Sequence, residues 1–405
     1  MQILVLDTIH GGREIGAAIA GSGHAVDVVD VYRGSTPDLL DTAKNKEYDL
    51  IVAPVHLDPD YPLLADCHAP VITHHEAVRL FLGKTIPFPM VEITGARGKT
   101  TTAFALAHLL SGPGILHTSA GTYAYPEKTL LWKRSITPGS VLSAVAHANR
   151  MPGWLIAEES LGVTGAGDLA IITSPEDYVF ANGKKHALTE KIASAASAKC
   201  LLVADGISCN HAHAISLGEL ASCDGMKCTV EYQGARYVLA NPLFQLPPYR
   251  SPLMLAAAAA VLLHIDPSPL SRFAALPGRM SVSHAGDLVI VDNANSGTNE
   301  ETTVCASRYA RSCAKTRDLT LVIGQAAGDG AVCEGFSHDQ VARTIGKVMP
   351  TQVIWVGTLP DPDSGLYRAV RDQIGAVCTT LEEGRRTALQ NTKQGSIVLA
   401  VKTWR

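Results

Sequence analysis

The chain has 405 residues, enough for two to three domains at roughly 150 residues each. Hydrophobic residues make up 46 % and charged residues 18 %, which excludes a disordered chain and supplies apolar material for several cores. A formal net charge of −4, with no Lys/Arg-rich run, excludes nucleic acid as the default partner.

In chain order, Ile3–Leu6, Val26–Val31, Leu50–Ala53 and Val71–Thr73 read as short apolar strands with helical stretches between them. That alternation predicts a parallel sheet covered on both faces. It ends at Thr85-Ile86-Pro87-Phe88-Pro89, a linker by its prolines. A second unit has strand Val91–Thr94, a glycine turn and a helix over Thr100–Leu110. Strands follow at Ile115–Thr118, Trp154–Glu158, Leu169–Thr173 and Cys200–Ala204, and a polar meander at Cys209–Leu239 suits a small β insertion. The Ala-rich helix Pro252–His264 leads to a second linker at Leu276-Pro277-Gly278. Beyond it, strands Leu288–Val291, Leu319–Ile323, Gln352–Val356 and Ile397–Val401 alternate with helices Asn299–Arg311, Asp339–Met349, Leu366–Gln373 and Leu381–Gln390, a doubly wound pattern.

The longest apolar stretch, Leu253–Ile265, is too short to span a bilayer, and the N-terminus runs directly into a strand. The nine cysteines are odd in number, scattered and without a CxxC pair, so a cytoplasmic protein without a membrane partner is expected. Cys209-Asn210-His211-Ala212-His213 with Cys223 and Cys228 matches no zinc spacing.

The chemistry concentrates in Val91-Glu92-Ile93-Thr94-Gly95-Ala96-Arg97-Gly98-Lys99-Thr100-Thr101-Thr102. A strand, a glycine turn and Lys-Thr opening a helix form a phosphate cradle: backbone N–H groups converge on oxygens, and the helix N-terminus favours negative charge. Lys99 is placed to reach the β/γ-phosphates and the Thr100 hydroxyl to ligate Mg²⁺. The spacing is shorter than in the common phosphate loop, since Gly95 lies three residues before Gly98.

The run Gly95-x-x-Gly98-Lys99-Thr100-Thr101-Thr102 resembles the phosphate loop of the Mur ligases and folylpolyglutamate synthetases. Other landmarks follow in order: Thr137-Pro138; Leu155-Ile156-Ala157-Glu158, similar to the strand ending in the family's magnesium glutamate, with Glu159 as the competing choice; Asp177 and Lys191 in the Asp-His…Lys segment; Pro277-Gly278-Arg279; and Val291-Asp292-Asn293-Ala294-Asn295-Ser296. The resemblance covers residues 88–405. It implies an α/β protein of three domains: residues 1–87, an N-terminal Rossmann-like substrate domain; 88–276, a central P-loop ATPase domain; and 277–405, a C-terminal Rossmann-like domain. It further implies ATP and Mg²⁺ as cofactors. Gly95, Ala96, Arg97, Gly98, Lys99, Thr100, Thr101, Arg279 and Asp292 would bind the nucleotide, Thr100 and Glu158 the metal, and Lys99, Glu158, Lys191 and Arg279 would carry catalysis. Lys191 matches a lysine that is carbamylated in many of these enzymes; unmodified, it would contact phosphate or lie on the surface. Tyr178 stands where the family has a second magnesium ligand, histidine, and Asn295 and Gly297 replace the histidine and proline of the last motif.

The opening Leu6-Asp7-Thr8-Ile9-His10-Gly11-Gly12-Arg13 puts a glycine pair between a strand and a helix. Its null is a tight turn without a ligand; its functional reading offers His10, Gly11, Gly12 and Arg13 to an anionic substrate, with Arg134 as a further carboxylate partner. The run resembles a methanogen branch of the family, which implies a nickel-carrying seco-tetrapyrrole whose propionate is activated as an acyl phosphate and closed onto carbon. The alternatives are an amide-forming ligase that adds an amino acid or ammonia, and a nucleotide-binding module without turnover. His74-His75 are expected at the surface or in a helix cap rather than as nickel ligands.

Overall fold

A computed structural model describes residues 1–32, 37–65, 68–83, 86–151, 153–326, 335–363 and 365–403; Cys67, Cys333 and Thr85 of the first linker lie outside the described residues. The chain divides into two compact units, Met1–Phe273 and Ala274–Arg405.

The first unit opens with β1 (Gln2–Leu6), α1 (Gly12–Gly21), β2 (Ala25–Val29), α2 (Pro37–Lys44), β3 (Leu50–Ala53), α3 (Pro62–Ala65), β4 (Val71–Thr73) and α4 (His74–Phe81). Among the described residues these strands form one parallel sheet in the order β2-β1-β3-β4. Successive side chains of a strand point to opposite faces. Ile3 and Val5 of β1 accordingly enter one apolar cluster and Leu4 and Leu6 another.

There follow β5 (Met90–Thr94), α5 (Lys99–Leu109), β6 (Gly114–Thr118), β7 (Gly121–Tyr125), β8 (Thr129–Trp132), α6 (Pro138–Ala148), β9 (Trp154–Glu158), β10 (Leu169–Ile172), β11 (Val179–Phe180), β12 (Lys185–His186), α7 (Ala187–Ser194), β13 (Leu201–Val203) and β14 (Ala214–Ser216). The central sheet has the order β14-β13-β10-β5-β9-β6-β7-β8. Its first strands run parallel, and β7 and β8 add an antiparallel edge. Gly121 and Thr122 begin β7. After α8 (Leu217–Leu220), the polar meander is a three-stranded antiparallel sheet of β15 (Ala221–Asp224), β16 (Lys227–Tyr232) and β17 (Ala235–Ala240). Helix α9 (Pro247–Leu262) starts five residues before its expected position and carries Pro252 inside it.

The two sheets of this unit share a core. Ile3, Ile15, Ile19 and Val78 from the first pack in one cluster with Val141, Ala144 and Val145 of α6 and with Leu155 of β9. The N-terminus of α1 meets that of α6 where two glycines touch. A Cβ on Gly11 would fall 2.9 Å from Gly139 Cα and 2.9 Å from Thr137 Oγ1, and one on Gly139 would fall 2.4 Å from the Gly11 oxygen. Gly11 also has φ +95°, a left-handed conformation costly for residues with a Cβ.

The second unit contains β18 (Ser281–Ala285), β19 (Leu288–Asp292), α10 (Glu300–Cys313), β20 (Leu319–Gln325), α11 (His338–Val348), β21 (Gln352–Val356), α12 (Gly365–Val370), β22 (Ile374–Cys378), α13 (Leu381–Asn391) and β23 (Ser396–Lys402). Its sheet has the order β18-β19-β23-β20-β21-β22, parallel except for the β18–β19 hairpin. Strands β18 and β22 had no expected counterpart, because Ser281–Ala285 and Ile374–Cys378 are mostly exposed edge segments with little apolar signal.

Gly11→Ala combines left-handed strain with a backbone clash, and is expected to lower unfolding stability by roughly 2–4 kcal/mol. Chemical denaturation against Gly21→Ala, whose added Cβ meets nothing within 4 Å, measures the difference.

Candidate active site

The glycine turn follows β5 and closes at the N-terminus of α5. Gly95 has φ +147° and lies so near Thr173 that a Cβ would fall 2.2 Å from its Oγ1; Gly98, at φ +84°, is the N-cap of α5. The amides of Ala96 and Arg97 both donate to Ser174 Oγ, at 3.1 and 3.2 Å. Convergent amides at a helix N-terminus are the arrangement an anion needs. Lys99 folds over the turn, its Nζ donating to the Gly95 carbonyl at 2.9 Å. The Arg97 guanidinium pairs with Glu176 at 3.0 Å. Thr101 is buried in the first turn of α5.

The expected metal residues meet. Thr100 Oγ1 lies 3.0 and 2.9 Å from the two oxygens of Glu158, and Ser119 completes the group with its amide 3.0 Å from Glu158 and its hydroxyl 3.2 Å from Thr100. A carboxylate beside two hydroxyls is a hard oxygen donor set that suits Mg²⁺. Ser119 went unnoticed in the sequence, although a serine directly after an apolar strand was the available signal.

Glu159 differs from its neighbour. It is fully buried, neither of its oxygens has a hydrogen-bond partner, and burial followed by the facing Glu92 carboxylate raises its pKa well above the ordinary range. Glu92 accepts from the amides of Thr164 and Gly167 at 2.9 and 2.8 Å, and from the Thr164 hydroxyl. Glu92 therefore supports the backbone behind the phosphate loop, and Glu159 beside it is pushed toward its protonated form.

Lys191 is not a surface lysine. It is 1 % exposed, its Nζ has no hydrogen-bond partner, and the ammonium lies 4.9 Å from the centre of the Tyr178 ring. Burial, then the charge of Lys99, lowers its pKa to about 8. Asp177 accepts from the Leu188 amide at 2.9 Å and pairs with His186 at 2.7 Å, holding the start of the helix that carries Lys191.

In the N-terminal sheet, Asp7 is fully buried at the end of β1. It accepts from the Ile9 and His10 amides at 2.6 and 2.9 Å and from His10 Nδ1 at 3.0 Å. Burial works against its charge, but the His10 and Ile9 hydrogen bonds win and hold its pKa below the usual carboxylate value. Gly12 fits only because a Cβ would fall 1.8 Å from the Asp7 carbonyl, and Arg13 is exposed on α1. The glycine pair thus has a packing reason of its own. Arg134 stands apart: with Trp132, Ser143, Ala146, His147 and Arg150 it lines a cavity of about 210 Å³. His74 and His75 do sit in the first turn of α4, started by the Thr73–Glu76 capping box, but both are buried rather than on the surface. Their Nε2 atoms bond the Leu6 and Ser160 carbonyls at 3.0 and 3.1 Å, and burial lowers their pKa values to about 4 and about 3.

In the second unit, Asp292 ends β19 and accepts from the Ala294 amide at 3.1 Å. Asn295, in place of the motif histidine, donates to the Gly278 carbonyl at 2.6 Å, so the Asp292 loop is tied to the turn that carries Arg279.

The domain family described as coenzyme F430 synthetase CfbE, C-terminal domain, matches residues 282–403. The coenzyme F(430) synthetase of Methanosarcina acetivorans is 31 % identical over 414 aligned positions, covering 85 % of this chain and 87 % of the relative. The UDP-N-acetylmuramoylalanyl-D-glutamyl-2,6-diaminopimelate–D-alanyl-D-alanyl ligase of Acinetobacter baumannii has a TM-score of 0.56 at 12 % identity, covering 90 % of this chain and 89 % of that one. The MurF ligase of Thermotoga maritima, solved with ADP, has a TM-score of 0.50 at 15 % identity, covering 93 % and 90 %. The relatives define an ATP-dependent ligase, and its fold is that of the Mur-type ligases. Within that class, the chain belongs to the coenzyme F(430) synthetase family.

Glu158→Gln is expected to cut turnover at least about 100-fold, with a marked rise in the Mg²⁺ needed for half-maximal rate, as removal of an electrostatic transition-state partner does. Glu159→Gln, at a position that disfavours charge, is expected to leave the Mg²⁺ response unchanged. Mg²⁺ titration of both variants checks the assignment.

Proposed function

We propose that this enzyme activates a propionate carboxylate of a nickel-bearing seco-tetrapyrrole with ATP and closes the last carbocyclic ring to give coenzyme F(430), releasing ADP and phosphate. The kinship to coenzyme F(430) synthetase along most of both chains carries this reading. The preassembled Thr100–Glu158–Ser119 group beside the phosphate loop supports its ATP chemistry. The enzyme works in the cytoplasm, in keeping with the free thiols of all seven described cysteines. Among the described residues no helix is long and apolar enough to cross a membrane.

A carboxylate is a poor electrophile. Transfer of the γ-phosphoryl group makes it an acyl phosphate, whose phosphate can leave. That transfer needs positioning and charge neutralisation more than covalent help. The amides of Ala96 to Lys99 hold the phosphates, and Lys99 neutralises their charge. Thr100 and Glu158 hold Mg²⁺, which when bound screens the phosphate oxygens. Arg279 and Asp292, which the Mur resemblance assigns to nucleotide binding, both belong to the second unit. His10, Gly11, Gly12, Arg13 and Arg134 serve the substrate.

Lys191 adds carbon dioxide to its amine, giving a carbamate and releasing one proton. A buried amine with a lowered pKa presents the neutral, nucleophilic form this needs. The carbamate would turn this buried position from a cation into an anion.

Incubation with the nickel seco-acid, ATP and Mg²⁺ is expected to change the tetrapyrrole visible spectrum with one ADP released per ring closed. An unchanged spectrum with ATP bound, or incorporation of added ammonia or amino acid, sinks the ring-closing reading. Stripping carbon dioxide from the buffer is expected to lower turnover several-fold, with recovery on adding bicarbonate. Lys191→Ala should stay inactive under both conditions, and bicarbonate-independent turnover would discard the carbamate.

A further inference from the structure

Closing a ring onto carbon poses a problem that forming an amide does not. An amine nucleophile arrives with protons that leave readily to water. A macrocycle carbon holds its hydrogen, and that proton must be removed as the new bond settles. A catalyst for this step needs a base with a free lone pair and a partner that fixes its orientation.

His10 meets that description. Its Nδ1 lies 3.0 Å from a fully buried carboxylate, Asp7. Asp7 is fixed by two backbone amides and held ionised by the balance of hydrogen bonds over burial. A carboxylate so placed keeps the proton on Nδ1 and leaves the Nε2 lone pair free to accept one. The imidazole side chain is 41 % exposed.

The groups around the His10 ring are mostly uncharged. His56 meets the His10 ring edge to face at 4.6 Å, and Tyr32 does so at 5.2 Å. Burial lowers the His56 and His74 pKa values to about 4 and raises that of Tyr32, so all three are uncharged at pH 7. Beyond them lie Asp30, which accepts from the Tyr32 amide, and Lys185, whose Nζ is bound to the Val55 carbonyl. Asp7 is therefore the charge in direct contact with the ring.

The pair also faces the right way. His10 lies in the turn four residues past the end of β1, and the next residue packs against Gly139 and Thr137 at the start of α6. The Ile136 carbonyl just before that helix accepts from the Ser160 amide, and Ser160 lies two residues past Glu158. The Ser160 carbonyl in turn accepts from His75 of the N-terminal sheet. The turn bearing His10 and the Thr100–Glu158 group thus lie at the carboxyl ends of their strands in one compact unit, where α/β proteins bind ligands.

We propose that the Asp7–His10 pair is the general base of ring closure, a role that rests on the ring-closing function proposed above. The electron pair of the nucleophilic ring carbon forms the carbon–carbon bond to the acyl carbon. The acyl–oxygen bond breaks and phosphate leaves with its electrons. The carbon–hydrogen bond then gives its electron pair back to the macrocycle and its proton to His10 Nε2, which passes it to water. Nothing is oxidised or reduced.

The test uses the full-length enzyme with the nickel seco-acid, ATP and Mg²⁺, with and without hydroxylamine, which converts an acyl phosphate to a hydroxamate and free phosphate. His10→Gln, assayed at saturating substrate, is expected to lose ring closure at least about 100-fold, the usual size of general-base catalysis, and hydroxamate formation by at least about tenfold less than that. Imidazole should restore part of the ring closure in His10→Ala. Ring closure at the wild-type rate in His10→Gln, or hydroxamate and ring closure falling together, overturns the assignment. A wild-type enzyme that makes hydroxamate but no ring also overturns it. If the wild type makes no hydroxamate at all, the failure lies in the ligase reading on which the proposal rests.

Discussion

The approach of Gly11 to Gly139 governs the first unit. Two helices can bring their N-termini this close only where neither carries a Cβ. The contact lets α1 and α4 lie against α6, and the apolar cluster that results contains side chains from both sheets. A core shared in this way resists hinge motion, because sliding one sheet past the other would open cavities in close-packed surroundings. The hairpin of β11 and β12 adds polar ties to the same end, with Lys184 reaching Asp58 and Lys185 the Val55 carbonyl. The N-terminal sheet is thus a fixed wall beside the phosphate loop, and its His10 turn is held in register with Glu158.

Adjacent residues in the central sheet show how position overrides composition. Glu158 and Glu159 are the same residue type, one step apart at the end of a strand. Strand alternation sends the first toward Thr100 and Ser119, which donate to it, and the second toward Glu92 in a region without donors for it. The second environment, buried and facing another carboxylate, disfavours charge.

The strand–turn–helix run at Gly95–Thr100 was legible in the sequence because a phosphate cradle leaves little freedom in residue type. The parallel sheets were legible because strands buried on both faces must be apolar throughout. The choice between Glu158 and Glu159 was not legible locally: it depends on Ser119, Thr100 and Glu92, which only the folded sheet brings together. The histidine pair at His74-His75 illustrates the same limit. A polar pair at the head of a helix reads as surface, yet the carbonyls of Leu6 and Ser160, remote in sequence, satisfy both rings and permit their burial. The early start of α9 was masked by Pro252, which usually stops a helix. Pro247 and Pro248 instead occupy its first turn, where their missing N–H groups cost nothing.

Departures from the Mur pattern also gain a physical sense. Tyr178 replaces a metal-binding imidazole with a ring that lies near the Lys191 amine, so a site for charge becomes an apolar cover. Burial under that cover lowers the affinity of the amine for a proton, and the amine becomes more, not less, reactive toward carbon dioxide. Asn295 keeps the hydrogen-bonding function of the residue it replaces while giving up its charge, since its amide ties the Asp292 loop to the Gly278 carbonyl. Both changes remove an imidazole from the family motifs, whereas a histidine with a carboxylate partner, His10 with Asp7, stands in the N-terminal sheet. In this chain the chemistry of phosphate is left to lysine, hydroxyl and carboxylate, and proton transfer is assigned to a different wall of the same unit. That separation suits a reaction whose nucleophile is carbon, because the proton to be removed sits on the macrocycle and not on the phosphate.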